Sequence, residues 1–342
     1  YANSVRCRPP VRDRKQTRPT SKHIVACYNF LAEDVKRLKP KLIVALGAPA
    51  LEAVHRKMTI AEARGAPFMC DKFGIPTIVT YHPAAVMREY QDPEMFQADL
   101  NRASQVASGV VDTSKPAALG DYTVIVPGDG VSEREALSEL KILRDYLLQA
   151  KRFSFDIESE GTNPRKHRML CLSFSTKPGE GFVVPLVGRF VECEGLSIEE
   201  VIKVIGVAGR TPRQVWSPKA LERVVAILKE ILESDVSKTA QLGAFDVRFC
   251  RAKLGIEVKR FDYDTCLAHH TYHARRPHTL EHLRDKYLPK MPQYDTELKR
   301  YAPTRKHSFG AVPEETLWMY SAADADCEFQ LGVETLKDMR EG

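Results

Sequence analysis

Two patterns are missing from this sequence: a segment able to cross a membrane and a cysteine framework able to hold a small secreted fold. None of its 342 residues lies in a run of eighteen apolar residues, about the length of a membrane-spanning helix. No positively charged stretch followed by an apolar one opens the chain, as a secretory signal would. The eight cysteines form no Cys-x-x-Cys pair. We therefore expect a cytoplasmic protein without a membrane partner, whose cysteines are thiols or metal ligands.

Positive charge is in slight excess, with a formal net charge of +6, and is concentrated near the start of the chain. The basic residues of this segment, set against the single acid Asp13, are Arg6, Arg8, Arg12, Arg14, Lys15, Arg18 and Lys22. Such a cluster suits contacts with nucleic-acid phosphates. A solvated surface is the equally weighted alternative.

Length and local composition predict two α/β domains, since chains of this size commonly hold two. Residues 1–103 form the first, where short all-apolar strands such as 41–47 lie between helices and predict a sheet covered on both faces. Residues 104–120, rich in Ser, Ala, Gly and Val, are the predicted linker, and residues 121–342 are the second domain. Because the chain opens with Tyr1 and no helix start, we also expect an N-terminal part to be missing.

The second domain begins with strands and ends in helices. Its predicted strands cover residues 122–126, 152–158, 169–173 and 181–185. No helix is expected between the last three, which therefore predict an antiparallel meander. Ser132 and Glu135 form a capping box that opens a helix, and Ser217 followed by Pro218 starts another. From Ala244 onward the sequence is predicted to be mostly helical.

An acidic pair occupies the strand near residue 156. Side chains two apart on a strand share a face, so Asp156 and Glu158 project together with Ser154. Phe155 and Ile157 are expected to pack on the opposite side. Two carboxylates at the end of a buried strand repel each other unless a cation lies between them. Taken alone, the pair fits a metal site and a solvated strand edge equally well.

Three further acids are candidates to join this pair. Asp246 opens a predicted helix, and Asp264 precedes Thr265. Asp324 follows Tyr320 by four residues, so these two share one helix face. Each of the three acids, taken singly, is more typical of a helix cap or an exposed surface.

Five spaced motifs carry the functional information of residues 121–335. They are Phe-Asp-Ile-Glu ending at Glu158, Gln-Leu-Gly-Ala-Phe-Asp ending at Asp246, Tyr-Asp-Thr-Cys-Leu-Ala ending at Ala268, His-Thr-Leu-Glu-His-Leu from His278 followed by Tyr287-Leu288, and Tyr-Ser-Ala-Ala-Asp-Ala ending at Ala325. In this order they resemble the DEDD exonuclease superfamily. The resemblance is to its tyrosine-containing branch, which includes the proofreading domain of family A DNA polymerases and ribonuclease D.

The resemblance implies a ribonuclease H-like exonuclease fold, a mixed sheet with flanking helices. The metal-binding carboxylates that it implies are Asp156, Glu158, Asp246 and Asp324. They would hold two Mg²⁺ or Mn²⁺ ions, which prefer carboxylate oxygens, and Tyr320 would orient the attacking water. One position departs from the family, which commonly has Asn where this chain has Leu242. The substrate contact that the family makes with this Asn is therefore in question here.

Three pieces of the first domain, near Asn3 to Pro10, at 40–47 and at 80–88, resemble the uracil-DNA glycosylase superfamily, most closely its iron–sulfur family 4. The resemblance implies an α/β/α sandwich, here partial. Asn3 would read a flipped uracil, and His82 would donate to uracil O2 as the glycosidic bond breaks. A sheet-end His with a buried Asn also suits holding a base edge. An ordinary core or loop histidine is the alternative for His82.

Cys7 and Cys27 match the third and fourth cluster ligands of that family. Two thiolates cannot hold a [4Fe–4S] cluster, which needs four. We therefore expect neither cluster nor glycosylase activity in this chain, and both in a longer chain that supplies the other ligands; two ordinary buried cysteines are the alternative. The resemblance also places Arg88 at the DNA minor groove, and the basic cluster adds Arg6 and Arg8 as DNA contacts.

Together these features predict a metal-dependent 3′→5′ exonuclease of the proofreading type, fused to a glycosylase-like module, in a bacterial, archaeal or phage-infected cell. The expected partners are DNA with single-stranded or frayed 3′ ends and a polymerase domain after Gly342 or other replication machinery. Two alternatives stay open. The chain trims RNA 3′ ends as ribonuclease D does, or its first domain only holds DNA without catalysis.

Overall fold

The computed structural model describes residues 1–7, 11–12, 15–16, 19–55, 58–64, 67–88, 93–109, 119–274, 276–288, 291–304 and 306–341. The chain divides into two compact units, Tyr1–Ala118 and Leu119–Gly342. Across the described ranges, none of the helices combines the length and apolar character needed to cross a membrane.

The first unit is an α/β fold around a three-stranded sheet. Its elements are β1 (Val11–Arg12), β2 (Lys15–Gln16), α1 (Ser21–Leu38), β3 (Ile43–Leu46), α2 (Ala48–Val54), α3 (Ile60–Ala63), β4 (Phe68–Met69), β5 (Pro76–Thr80), α4 (Pro83–Met87) and α5 (Pro93–Ala107). The strand order is β3-β5-β4, with β3 and β5 parallel and β4 antiparallel to β5. The two short strands β1 and β2 pair separately.

The two parallel strands of this sheet differ in how they are covered. In β5, Ile78 and Val79 point to opposite faces and are both buried. In β3, Ala45 packs with Leu51 of α2, whereas Val44 on the other face is 37% exposed. The prediction of strands covered on both faces is therefore right for β5 and wrong for β3, which lies at the sheet edge and is covered by α2 on one face.

Helix α5 continues into the predicted linker, so a linker beginning at residue 104 is wrong in its first residues. The helix ends at Ala107, and Ala103, in its second half, is buried. Ser104 to Ala107 contains no helix breaker, and Gly109 adopts a left-handed φ of 76° after the last turn, as glycine does after helices. Residues 110–118 of the predicted linker lie outside the described residues.

The second unit is built on a six-stranded mixed sheet flanked by helices. Its elements are β6 (Asp121–Val124), α6 (Glu133–Gln149), β7 (Arg152–Ser159), β8 (Met169–Ser175), β9 (Glu180–Pro185), α7 (Ile198–Val201), α8 (Pro218–Leu232), β10 (Ser237–Ala240), α9 (Ala244–Phe249), β11 (Phe261–Asp264), α10 (Thr265–Tyr272), α11 (Leu280–Tyr287), α12 (Thr296–Tyr301) and α13 (Glu314–Glu341). The strand order is β11-β10-β7-β8-β9-β6.

The antiparallel meander is confirmed, because β7, β8 and β9 pair antiparallel in sequence order. Strands β10 and β11 extend the sheet in parallel beyond β7, and β6 joins its other edge parallel to β9. Both predicted helix starts are also confirmed. Ser132 and Glu135 form the capping box of α6, and the hydroxyl of Ser217 accepts a hydrogen bond from the amide of Ala220 in α8.

The chain beyond Ala244 is mostly helical, as predicted, with the short strand β11 as the exception among the described residues, and β10 was not predicted. The segment Ser-Lys-Thr-Ala of β10 lacks an apolar run, so its sequence does not indicate a buried strand. Lys238 is nevertheless fully buried, and its ammonium donates to the carbonyl oxygens of Ser234 and Val236 at 2.9 and 2.8 Å. These local hydrogen bonds compensate the buried ammonium group of a lysine, a residue that sequence patterns predict to be exposed.

The two faces of the sheet have different roles. Helices α6 and α8 cover one face, where Phe153, Phe155 and Ile157 of β7 join their apolar side chains in the main core. On the other face, the hydroxyl of Ser154 donates to the carbonyl oxygen of Ala325 in α13 at 2.6 Å. Helix α13 therefore lies against the face of β7 that carries the acidic pair, as the alternation along the strand predicts.

Candidate functional site

Three carboxylates meet between β7 and α13. Asp156 and Glu158 come from β7 and Asp324 from α13, and one oxygen of each lies within 4.8 Å of the others. Glu158 and Asp324 are each 6% exposed. The side-chain alternation of β7 and the helix packed across it bring together residues more than 160 positions apart.

The fourth predicted acid, Asp246, adjoins this group. It lies in the first turn of α9, directly after β10, and β10 runs parallel beside β7. The backbone of Ile157, between Asp156 and Glu158, lies close enough to the Asp246 carboxyl group to lower its pKa against the effect of burial. Asp246 is 2% exposed, so it reaches the same end of β7 as the acidic pair.

Burial and mutual repulsion act together on these acids. Burial raises the pKa of Asp156 well above its ordinary value, and the charges of Glu158 and Asp246 raise it further. Burial likewise raises the pKa of Asp246 to about 8 and that of Asp324 to about 7. A cluster of this kind cannot hold its full negative charge without a cation.

The donor set fits a hard divalent cation. Every predicted ligand is a carboxylate, the ligand type that Mg²⁺, Mn²⁺ and Ca²⁺ prefer. Oδ2 of Asp156 is buried and, among the described residues, has no hydrogen-bond partner. A buried acceptor left in this state is costly, and a bound ion would satisfy it.

Two tyrosines lie beside Asp324. Tyr320, one helical turn earlier on α13, lies close enough for its hydroxyl to favour the charged form of the Asp324 carboxylate against the effect of burial. The hydroxyl of Tyr294 donates to Oδ1 of Asp324 at 2.7 Å, and the guanidinium of the buried Arg284 lies 5.4 Å from the Tyr294 ring centroid. Sequence analysis identified Tyr320 and missed Tyr294, which lies outside a recognisable motif.

Asp264 has a structural role, in line with the helix-cap interpretation. Its carboxylate caps α10 by accepting from the amides of Cys266 and Leu267. It also accepts from the amides of Leu242 and Gly243 at 3.2 and 3.0 Å. The segment that precedes Asp246 is thereby tied to the start of α10. Leu242 itself is 55% exposed and has a left-handed φ of 57°.

One further acid, Glu328, was missed by sequence analysis. It follows Asp324 by four residues on α13 and is 1% exposed. The charges of Asp156, Asp246 and Asp324 raise its pKa in addition to the effect of burial. Its spacing, one turn beyond Asp324, was the available signal.

In the first unit, His82 lies at the carboxyl end of β5 as expected. It is exposed and caps α4, with Nδ1 accepting from the amide of Ala84 at 3.1 Å. A Cβ on Gly47, at the end of the parallel strand β3, would come within 3.1 Å of the His82 Cβ. This end of a parallel sheet is where ligands commonly bind. Asn3 is exposed, so the prediction of a buried Asn is wrong; it precedes the first regular element of the described residues.

The predicted cluster ligands Cys7 and Cys27 are brought together. Hydrogen bonds from the backbone amides of Arg6 and Cys7, and one with the Cys7 thiol, lower the pKa of the Cys27 thiol. Two adjacent thiols fit half of a four-thiolate set. Cys70 is instead buried in the apolar core of this unit with Leu51, consistent with a packing role.

The predicted DNA-contacting arginines differ in their surroundings. Arg6 forms an ion pair with Asp34 and lies over the ring of Phe30, so its charge is partly neutralised within the unit. Arg88 is exposed at the end of α4. Arg8 lies outside the described residues.

Comparison with known families agrees with this division of the chain. Residues 133–338, more than half of the chain, match the family model described as 3'-5' exonuclease. Residues 1–104 match the family model of the uracil DNA glycosylase superfamily.

Individual relatives also include a glycosylase and a DNA polymerase. The chain is 27% identical over 127 residues to the type-4 uracil-DNA glycosylase of Saccharolobus solfataricus, covering 35% of this chain and 55% of that protein. It is 21% identical over 333 residues to the DNA polymerase of Bacillus phage SP01, covering 92% of this chain and 33% of that protein. Among solved structures, Brucella melitensis NrnC matches with 14% identity and a TM-score of 0.40, covering 65% of this chain and 82% of that one. The chain thus spans about half of that glycosylase and a third of that polymerase.

Proposed function

Because the chain belongs to the 3'-5' exonuclease family and begins with a segment of the uracil DNA glycosylase superfamily, we propose that it removes nucleotides from DNA 3′ ends with two magnesium ions held by its carboxylate cluster. The observation that carries the proposal is the meeting of Asp156, Glu158 and Asp324 within 4.8 Å of one another. Asp246 lies beside them.

Each residue of the cluster has a part in this reaction. Divalent ions bound here would supply an activated water and stabilise the charge on the leaving 3′ oxygen. Asp156 and Glu158 would hold these ions from the rigid strand β7, and Asp324 from α13. The Tyr320 hydroxyl, which lies beside Asp324, would orient the water for attack in line with the leaving oxygen.

DNA is the substrate that the rest of the chain favours. The glycosylase superfamily segment suits DNA, since uracil is a lesion there and an ordinary base in RNA. The similarity to a phage DNA polymerase extends over both units, which supports a proofreading role beside a polymerase domain. Cytoplasmic localisation stays a prediction.

The proposal is tested with Asp156→Asn, which keeps the size of the side chain and removes its charge. Release of mononucleotides from single-stranded DNA with Mg²⁺ should fall by more than about 100-fold, since even an outer partner of a metal ligand costs 10- to 100-fold. The exposed Asp121→Asn on β6 is the control and should keep full activity. Full activity of Asp156→Asn would refute the assignment, and faster digestion of RNA of the same sequence would move the substrate to RNA.

For the first unit, we propose that His82 and Asn3 contact uracil and that Cys7 and Cys27 supply two of four ligands of an iron–sulfur cluster. The contact between the two thiols supports the cluster, and the place of His82 at the end of a parallel sheet supports base binding. The remaining ligands would come from another part of a longer protein.

A DNA-holding role of the first unit is tested by removing residues 1–118, the whole unit as the structure divides the chain. The affinity for single-stranded DNA at moderate salt should fall, and its dependence on salt should become shallower because phosphate contacts are lost. Equal affinity and an equal salt slope in the two proteins would eliminate this role.

A further inference from the structure

Glu328 is a buried acid that the assigned chemistry leaves without a role. It lies on α13 one turn after Asp324, and side chains four residues apart project from the same helix face. The residue is 1% exposed, and among the described residues its Oε2 has no hydrogen-bond partner. An unsatisfied carboxylate oxygen at this depth costs free energy unless another group compensates it.

The surroundings of Glu328 are acidic. The strongest electrostatic influences on its carboxyl group come from Asp156, Asp246 and Asp324, all of which disfavour its charge. Its neighbour Asp326 is directed elsewhere, accepting from the hydroxyl of Tyr122 at 2.9 Å and the amide of Gly179 at 3.0 Å. Glu328 therefore lies in the same acidic environment as the proposed metal ligands. Asp326, in contrast, takes part in the hydrogen bonds that hold α13 against the sheet edge.

A neutral carboxylic acid would be the alternative explanation for a Glu at this place. A neutral acid carries a hydroxyl that donates and a carbonyl oxygen that accepts, so it is stable when both are paired. The unpartnered Oε2 does not meet that condition. Asp156, whose Oδ2 is also buried without a partner among the described residues, exerts the largest electrostatic effect of any charged group on Glu328. One cation held between the two acids would satisfy both oxygens.

We propose that Glu328 is a fifth carboxylate of the metal centre, which binds an ion held by Asp156 either directly or through a bound water. The proposal rests on the proposed exonuclease function. Its consequence is tighter binding of one of the two ions than four carboxylates alone would give, because an added negative ligand increases the attraction for a divalent cation.

The test is the binding of Mn²⁺ to Glu328→Gln, which retains the shape of the side chain and removes its charge. Free Mn²⁺ is measured by electron paramagnetic resonance and the heat of binding by calorimetry. The dissociation constant of one ion should rise about 10- to 100-fold, the range found for residues that support metal ligands. Glu315→Gln, an exposed position on the same helix, is the matched control and should bind both ions as the parent does.

Thermal unfolding gives a second measurement. Without metal, Glu328→Gln should melt at the same temperature as the parent or higher, since an acid is removed from a group of acids. Added Mn²⁺ should raise its melting temperature less than that of the parent. Unchanged dissociation constants for both ions would overturn the proposal. If the Gln variant does not fold, Glu328→Asp is measured in the same way, and unchanged binding there overturns it too.

Asp156→Asn, measured in parallel, separates this proposal from the one on which it rests. Weak Mn²⁺ binding by Asp156→Asn together with parental binding by Glu328→Gln would refute only the fifth ligand. Parental binding by both variants would refute the metal centre itself.

Discussion

At the scale of single residues, Leu242 combines two unfavourable features. It has a left-handed φ of 57°, which costs a residue with a Cβ about 1–2 kcal/mol. It also occupies the position at which the resemblance to the exonuclease superfamily implies an Asn. The amide of Leu242 nevertheless donates a hydrogen bond to Asp264. This bond stabilises the turn, although the side chain disfavours the left-handed backbone.

Leu242→Asn should therefore improve both stability and substrate affinity. Asn tolerates the left-handed region, so the free energy of unfolding should rise by about 0.5–1 kcal/mol. The new amide should lower KM for single-stranded DNA by about 2- to 10-fold, as one hydrogen bond allows. Leu242→Gly is the control: it relieves the backbone but adds no amide, so KM should stay at the parental value. An equal fall in KM for both variants would assign the effect to the backbone.

Sequence reasoning located the acids that lie in spaced motifs and missed those that do not. Asp156, Glu158, Asp246 and Asp324 share one region of the structure, as their motif order predicts. Glu328 looks like any helical Glu in the sequence, because its burial depends on the sheet that packs against α13. Similarly, the exposure of Asn3 depends on what surrounds it in space.

At the scale of elements, α13 depends on a close approach to the sheet. Gly332 has no Cβ, and a Cβ built there would lie 2.8 Å from Cγ2 of Thr239 in β10. A contact this short forces the helix or the strand to move. The same helix carries Tyr320 and Asp324, so its distance from β7 also sets the geometry of the carboxylate cluster.

Gly332→Ala should destabilise the second unit by about 1–3 kcal/mol, although Ala favours helix formation by about 1 kcal/mol over Gly. Denaturant unfolding of the parent and the variant measures the difference. Thr239→Ser removes the methyl group in question, so adding it to Gly332→Ala should restore much of the lost stability. Additive effects of the two changes would show that this contact is not the cause.

The elements with strong local signals were predictable. Helix α6 has its capping box, and β7 to β9 follow one another without helices, so their antiparallel pairing follows from connectivity. The strand β10 has no such signal, since Lys238 is buried there through bonds that the fold creates. Helix α5 extends past the predicted domain end because Ala103 packs in the interior, which composition does not reveal.

At the scale of the whole molecule, the carboxylate cluster should make the stability of the metal-free protein depend on pH. The pKa of Asp324 is raised to about 7 and that of Asp246 to about 8 from an ordinary 3.8. Between about pH 4 and 8 the folded chain thus holds protons that the unfolded chain has released. The free energy of unfolding should therefore fall as pH rises through this window, and saturating Mg²⁺ should largely remove the slope by neutralising the cluster.

His269 acts in the opposite direction and must be separated from this effect. Burial lowers its pKa to about 4 from 6.5, so the unfolded chain binds the extra proton and stability falls as pH drops from about 6.5 to 4. The free energy of unfolding is measured in urea at several pH values, once with Mg²⁺ and once with a chelator. The difference between the two curves reports the carboxylate cluster, because His269 contributes to both. A difference that does not grow between pH 4 and 8 would contradict the prediction.

The spacing of Tyr320, Asp324 and Glu328 on α13 also bears on how the chain length can vary. A helix advances by 3.6 residues per turn, or about 100° per residue, so these side chains stay aligned only while the intervening number of residues is constant. A single inserted or deleted residue between them would swing every later side chain a quarter-turn or more around the helix axis. We expect this stretch to accept substitutions but no change in length, with length variants confined to the loops on either side.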